Sequence, residues 1–188
     1  MTNAMFLILM HQLLFQGMFF TKNLTLKNKL GLPVRGNNPE ANLSIGFFVL
    51  FIGMSLYLAA ESGTSEAPLL APACAWAISL LLMVACIVLG FASLRDLGDS
   101  WRIGIIEEQQ TALVDSGIYR RTRNPYFVSY LLMFAAYIVL LQSSLLLVMA
   151  ALGWLLVHRM ILKEERHLEA VHGDDYRRYC SRVPRYLW

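Results

Sequence analysis

Charge is scarce in this chain, and positive charge is missing from half of its polar stretches. Only 15% of the 188 residues are charged, against about 25% in an average soluble domain. Cysteine is equally sparse. Cys74 and Cys86 lie twelve residues apart and Cys180 is far downstream, so there is no CxxC pair and no disulfide framework. The four histidines (His11, His158, His167, His172) lack acid or thiol partners at ligand spacing, and no metal site is expected. No motif points to nucleic acid.

What the chain has instead is apolar length. It is 57% hydrophobic, with a mean hydropathy of +0.51. Five stretches approach or reach the roughly 17–25 residues of a spanning helix: Ala4–Phe20, Leu43–Ala60, Pro68–Leu94, Tyr126–Leu141 and Ser144–Ile161. All 16 lysines and arginines fall in three of the intervening or terminal stretches. Thr21–Asn42 holds four, Arg95–Pro125 five and the tail from His158 seven; Glu61–Ala67 and the first three residues hold none. The positive-inside rule then predicts five crossings, with the N-terminus outside and the C-terminus cytoplasmic. That arrangement suits the plasma or inner membrane of a prokaryote, and the basic face suits anionic lipid headgroups. The first apolar stretch has no basic n-region and carries His11, Gln12 and Gln16, so it reads as a retained helix rather than a signal peptide. His11 is expected in an interhelical hydrogen bond or at an interfacial position rather than as a ligand.

The chain reads as an all-α integral membrane protein with a single domain, 1–188. Residues 1–93 supply three spans, and 94–188 supply a helical hairpin and a cytoplasmic cap. The third span is rich in small residues, among them Ala75, Ser79, Gly90 and Ser93, and is expected at the centre of the bundle. The turn-rich run Leu32-Pro33-Val34-Arg35-Gly36 reads as a plain connector. The stretch from Arg95 to Pro125 is long for a connection, and such loops carry function. After Ile161, apolar residues continue at helical spacing through Leu168 and Val171, predicting one continuous helix ending near Gly173.

Two polar clusters flank the hairpin: Arg123-Asn124-Pro125-Tyr126 before it and Glu164-Glu165 after it. Only Gln142 and Ser143 separate its two helices, so the clusters are expected side by side at the membrane surface. Carboxylates beside arginines suit a ligand with hydroxyl and ammonium groups, and Trp101, Tyr119 and Tyr126 are placed to face a sulfonium through cation–π contact. The same residues also suit plain anchoring of helix ends at an interface.

The ordered series L-V-x-S-G-I-Y, R-N-P-Y, E-E, G-D-D-Y-x-x-Y and V-P-R closely resembles the isoprenylcysteine carboxyl methyltransferase family and its bacterial and archaeal relatives, which share a core with phospholipid methyltransferases. The resemblance covers about Leu94–Arg185. It implies an integral membrane enzyme that uses S-adenosyl-L-methionine to methylate a lipophilic or lipid-like acceptor at a carboxylate, thiol or amine. It further implies that Thr111, Ala112, Leu113 and Val114 line the cofactor site, that Tyr119 packs on the cofactor, that Asn124, Pro125, Tyr126 and Phe127 wrap it, and that Glu164 binds one of its polar groups. Arg123, Arg159 and Glu165 are the candidate catalytic positions, with Arg123 and Glu165 holding the turn to the helix end. Eukaryotic members carry histidine at the position of Asn124 and a substrate-binding arginine at that of Met160. Arg159 stands one residue earlier, rotated by about 100° on a helix. A steroid-reductase-like NADPH enzyme and a non-catalytic membrane scaffold are the competing readings, and each predicts no binding of S-adenosylmethionine.

Overall fold

The computed structural model describes residues 2–31, 34–36, 39–61, 68–104 and 112–187. Six helices account for most of them: α1 (Asn3–Leu30), α2 (Pro39–Ala60), α3 (Pro72–Leu97), α4 (Pro125–Leu141), α5 (Ser144–His172) and α6 (Asp174–Arg182). No strand occurs among the described residues; one isolated parallel bridge pairs Arg35 with Ile103. Four helices (α1, α2, α3 and α5) are long and apolar enough to cross a membrane. α4, the fourth expected span, is a shorter apolar helix of 17 residues, about 25 Å long at 1.5 Å per residue.

Local chemistry sets the helix limits. Thr2 accepts the Met5 N–H to cap α1. Pro125 stands at the first position of α4, where its missing N–H costs nothing. The preceding Asn124 is kept out of the helical region (φ −130°, ψ 51°), as a residue before proline must be. α1 runs ten residues beyond the predicted span, to Leu30, and carries Lys22, Lys27 and Lys29 with it. α3 starts at Pro72 rather than Pro68. The hairpin turn is tight. Gln142 takes a left-handed conformation (φ 48°), and its side-chain amide grips Leu70 through both that residue's N–H (2.8 Å) and its carbonyl (3.1 Å).

α4, not α3, occupies the centre. It touches α1, α2, α3 and α5, and eleven of its seventeen residues are buried. The small residues of α3 permit close approach without making it the central helix. Ala75, Ser79, Cys86, Gly90 and Ser93 form its buried stripe, which lets the α3 backbone lie close along α4. Centrality itself follows from bulk. Tyr126, Tyr130, Phe134 and Tyr137 recur at three- and four-residue spacing along α4 and mesh with rings from α1 and α2. Phe48 stacks on Tyr130 (centroids 4.2 Å apart), Phe19 meets Tyr126 edge-on (4.9 Å) and Phe51 meets Phe134 (4.6 Å). Within this apolar column lies one polar knot: Tyr137 Oη bonds His11 Nδ1 (2.8 Å) and accepts from Gln12 Nε2 (2.7 Å). The polar edge of the first helix therefore faces α4, and His11 bridges helices.

α5 is continuous through its polar end, and its buried face recurs almost every fourth residue: Leu146, Met149, Gly153, Val157, Ile161 and then Glu165. Gly173 (φ 54°) ends the helix and turns the chain into α6.

Candidate functional site

One end of the bundle gathers the polar residues. The Arg35–Ile103 bridge pins the α1–α2 connection onto the α3–α4 connection through Ile103 N–H to Val34 O (2.8 Å) and Gly36 N–H to Ile103 O (2.9 Å). Residues 34–36, the described part of the turn-rich run, are thus tied by backbone bonds to the α3–α4 connection. Trp101 is anchored beside it, donating to Asn23 Oδ1 (2.6 Å) and meeting Tyr126 edge-on at 4.6 Å.

The S-G-I-Y segment forms a 3₁₀ turn, Gly117–Arg120. Asp96 Oδ2 accepts the Ile118 N–H at 2.7 Å. Gly117 has φ +60°, and a Cβ there would overlap the Asp96 carboxylate, so both backbone angle and space demand glycine. The turn presents Tyr119, whose hydroxyl meets Ser93 Oγ at 3.0 Å and whose carbonyl accepts from Tyr179 Oη at 2.7 Å. Tyr176 and Tyr179 face inward from α6, with Val183, onto Leu113 and Leu168. Burial holds the phenols of Tyr119, Tyr176 and Tyr179 above their ordinary pKa, so they act as neutral rings and hydroxyls rather than as bases.

The two motif carboxylates have different fates. Glu165 continues the buried stripe of α5 and is fully engaged. Its Oε1 meets Arg123 Nη2 (3.2 Å) and Asn124 Nδ2 (3.4 Å), and its Oε2 accepts from Arg185 Nε (3.0 Å) and Nη2 (2.8 Å). Hydrogen bonding to Glu165 raises the Arg185 guanidinium further above its already high value. Glu164 sits one residue earlier, about 100° around the helix. It faces open space and makes no hydrogen bond or ion pair among the described residues.

That open space is a cavity of ≈ 960 Å³, counting its mouth. It is lined by the segment Ala112–Val114, by Tyr119, Arg123, Asn124, Tyr126, Phe127 and Glu164, and by Trp101, His167, Tyr176 and Tyr179 among others. A second, more apolar cavity of ≈ 730 Å³ adjoins it, walled by Ala41, Ser44, Ile45 and Phe48 of α2, Met160 and Lys163 of α5, and Tyr130. Arg102, Gly104, Tyr126, Phe127 and Glu164 line both. Lys163 and Glu40 form an ion pair at 2.9 Å beside the second cavity, linking α5 to α2.

The structure thus gathers Ala112, Leu113, Val114, Tyr119, Arg123, Asn124, Tyr126, Phe127 and Glu164 around one cavity. Pro125 is buried behind it as the helix start, and Glu165 faces away from it into its ion-pair cluster. Arg159 is exposed and lines neither cavity, whereas Met160 lines the second and accepts from Ser44 Oγ at 2.7 Å. Thr111 and the run Glu107–Gln110 lie outside the described residues. Sequence reasoning had given no role to Arg185, His167, Tyr176 or Tyr179. The helical offset from Glu164 to His167 and the Tyr-x-x-Tyr spacing were the available signals.

A family model described as phospholipid methyltransferase matches residues 74–175, more than half of the chain. No curated protein matches the chain significantly.

Proposed function

This chain belongs to the phospholipid methyltransferase family, and we propose that it transfers a methyl group from S-adenosylmethionine to a lipophilic acceptor at the cytoplasmic face of the membrane. The observation that carries this reading is the pair of adjoining cavities, one polar and one apolar, that share Tyr126, Phe127 and Glu164. The residues of the polar cavity fit the cofactor's chemistry. Glu164 offers an unpaired carboxylate to hydroxyl or ammonium groups, and Trp101, Tyr119 and Tyr126 offer ring faces to a cation. When bound, the cofactor supplies a methyl carbon on a positively charged sulfur, which departs neutral.

The protein's part is positioning. Holding nucleophile and methyl carbon in line is worth up to about 7–11 kcal/mol of barrier. Trp101, Tyr126 and Phe127 form a ring contact series at the junction, and such a wall excludes water from the meeting point. Tyr119, kept neutral by burial, takes no proton there. A carboxylate or thiolate acceptor needs no base; an amine has to arrive deprotonated. The apolar cavity between α2 and α5 admits the acceptor from the lipid side. The basic residues gathered at this end support its placement on the cytoplasmic side, with five crossings overall.

Isothermal titration of the purified protein in lipid nanodiscs, with S-adenosylmethionine and with NADPH, tests the donor. Micromolar affinity for the first and none for the second is expected; affinity for NADPH alone replaces this reading with that of a reductase. Incubation with membrane lipid extract and labelled S-adenosylmethionine, followed by mass spectrometry, identifies the acceptor.

A further inference from the structure

Glu164 lies on α5 and Asn124 in the turn before α4, and nothing in either residue alone keeps them facing one cavity. Their alignment depends on how the turn before α4 is fixed against the polar end of α5. Val183, Pro184 and Arg185 follow α6 and cross this seam. The Pro184 carbonyl accepts the Arg123 N–H at 3.0 Å. The Arg185 carbonyl accepts from Thr122 Oγ1 and from Asn124 Nδ2, each at 3.1 Å. The Arg185 guanidinium then places two N–H groups on Glu165 Oε2, at 3.0 and 2.8 Å. A single residue therefore ties the turn through its backbone and α5 through its side chain.

We infer that Arg185 is a positioning residue for the polar cavity: it holds Asn124 and α5 in the relative placement that lets Asn124 and Glu164 face one ligand. The inference rests on the methyltransferase reading for the ligand's identity. The electrostatics agree with it. Two adjacent carboxylates repel each other, and the paired guanidiniums of Arg123 and Arg185 on Glu165 offset its charge next to Glu164. The Arg185 side chain remains 35% exposed, while that of Glu165 is 11% exposed. Water can therefore replace the guanidinium without leaving a buried void, and the helix bundle does not depend on it. Its loss acts on the geometry of the cavity.

The test uses full-length protein in nanodiscs, with S-adenosylmethionine affinity by titration and the thermal unfolding midpoint read on the same samples. Arg185→Ala is expected to lose about tenfold in affinity, the scale on which removing an orienting partner acts, with its midpoint close to wild type. Arg185→Lys restores a positive charge with one contact and is expected to recover part of the loss. In a Glu165→Gln background, Arg185→Ala is expected to add little further loss, because the two act through one contact. Wild-type affinity in Arg185→Ala, or a full additional loss in the Glu165→Gln background, overturns the inference. Should Arg185→Ala fail to fold, Arg185→Gln decides by the same affinity criterion. A wild-type protein that does not bind S-adenosylmethionine sinks the methyltransferase reading first; wild-type binding with an indifferent Arg185 sinks only the positioning role.

Discussion

Neighbouring glutamates with opposite surroundings give a sharp test. Glu164 has no partner among the described side chains and faces the shared wall of both cavities; Glu165 is held by Arg123, Asn124 and Arg185. Glu164→Gln therefore removes nothing the fold uses, and the unfolding midpoint of the ligand-free protein should be unchanged or slightly higher, since a repulsion is relieved. Its effect belongs to ligand binding. Hydrogen bonds to a charged group are worth about 1.5–3 kcal/mol, so S-adenosylmethionine affinity should fall by about 10- to 150-fold at 1.4 kcal/mol per decade. Glutamine retains an acceptor for a hydroxyl but loses the charge that an ammonium needs. A small loss in Glu164→Gln and a large one in Glu164→Ala thus indicates hydroxyl contacts, and equal losses indicate the ammonium. Glu165→Gln acts on stability as well, besides the affinity loss expected from the Arg185 contact it removes. It leaves Arg123, whose side chain is only 12% exposed, without its countercharge. Breaking a buried pair costs about 3–5 kcal/mol, and the exposure of Arg185 reduces this to about 1–3. At about 2–4 °C per kcal/mol for a chain of this size, the midpoint should drop by several degrees. Titration and thermal unfolding on the same preparations check both. A Glu164→Gln protein that melts early but binds normally, beside a Glu165→Gln protein with an unchanged midpoint, would falsify the assignment of the two carboxylates.

Two further outcomes follow from the geometry. Gly117→Ala pushes a methyl group into the Asp96 carboxylate in a left-handed backbone, so the turn bearing Tyr119 must shift; S-adenosylmethionine affinity should fall by about 5- to 30-fold by titration, the equivalent of the 1–2 kcal/mol left-handed penalty. Tyr137→Phe leaves His11 Nδ1 without its hydroxyl partner inside the bundle and Gln12 Nε2 with only Met133 Sδ; at about 1–3 kcal/mol for a buried unpaired polar group, the thermal midpoint should drop measurably while cofactor affinity stays near wild type.

Much of the fold was legible because lipid leaves few choices. Apolar length placed four helices and the shorter fifth, and the two-residue link forecast the hairpin that brings Asn124 within 3.4 Å of Glu165. Gly173 and Pro125 marked their helix ends. The centre was misread because small residues signal close approach, not centrality; the ring column of α4 was the better guide. At the site, only the resemblance separated the adjacent glutamates, giving Glu164 to the cofactor and Glu165 to the turn, although periodicity offered the same distinction. Extending the stripe Val157, Ile161 by four reaches Glu165, which already distinguishes the buried carboxylate from the open one. Arg185 closes the V-P-R run that carried the resemblance, but its role was not legible, for a different reason. Its partners lie 20 and 61 residues away in sequence, and no periodicity reports a strap crossing between helices.

The family match covers the α3–α5 lining of the apolar cavity but not its α2 wall. Every α2 side chain that walls the apolar one, from Glu40 to Phe48, precedes the stretch shared with the family, which begins at residue 74. Grafting α2 alone between two such proteins should transplant the choice of what is methylated and leave the source of the methyl group alone.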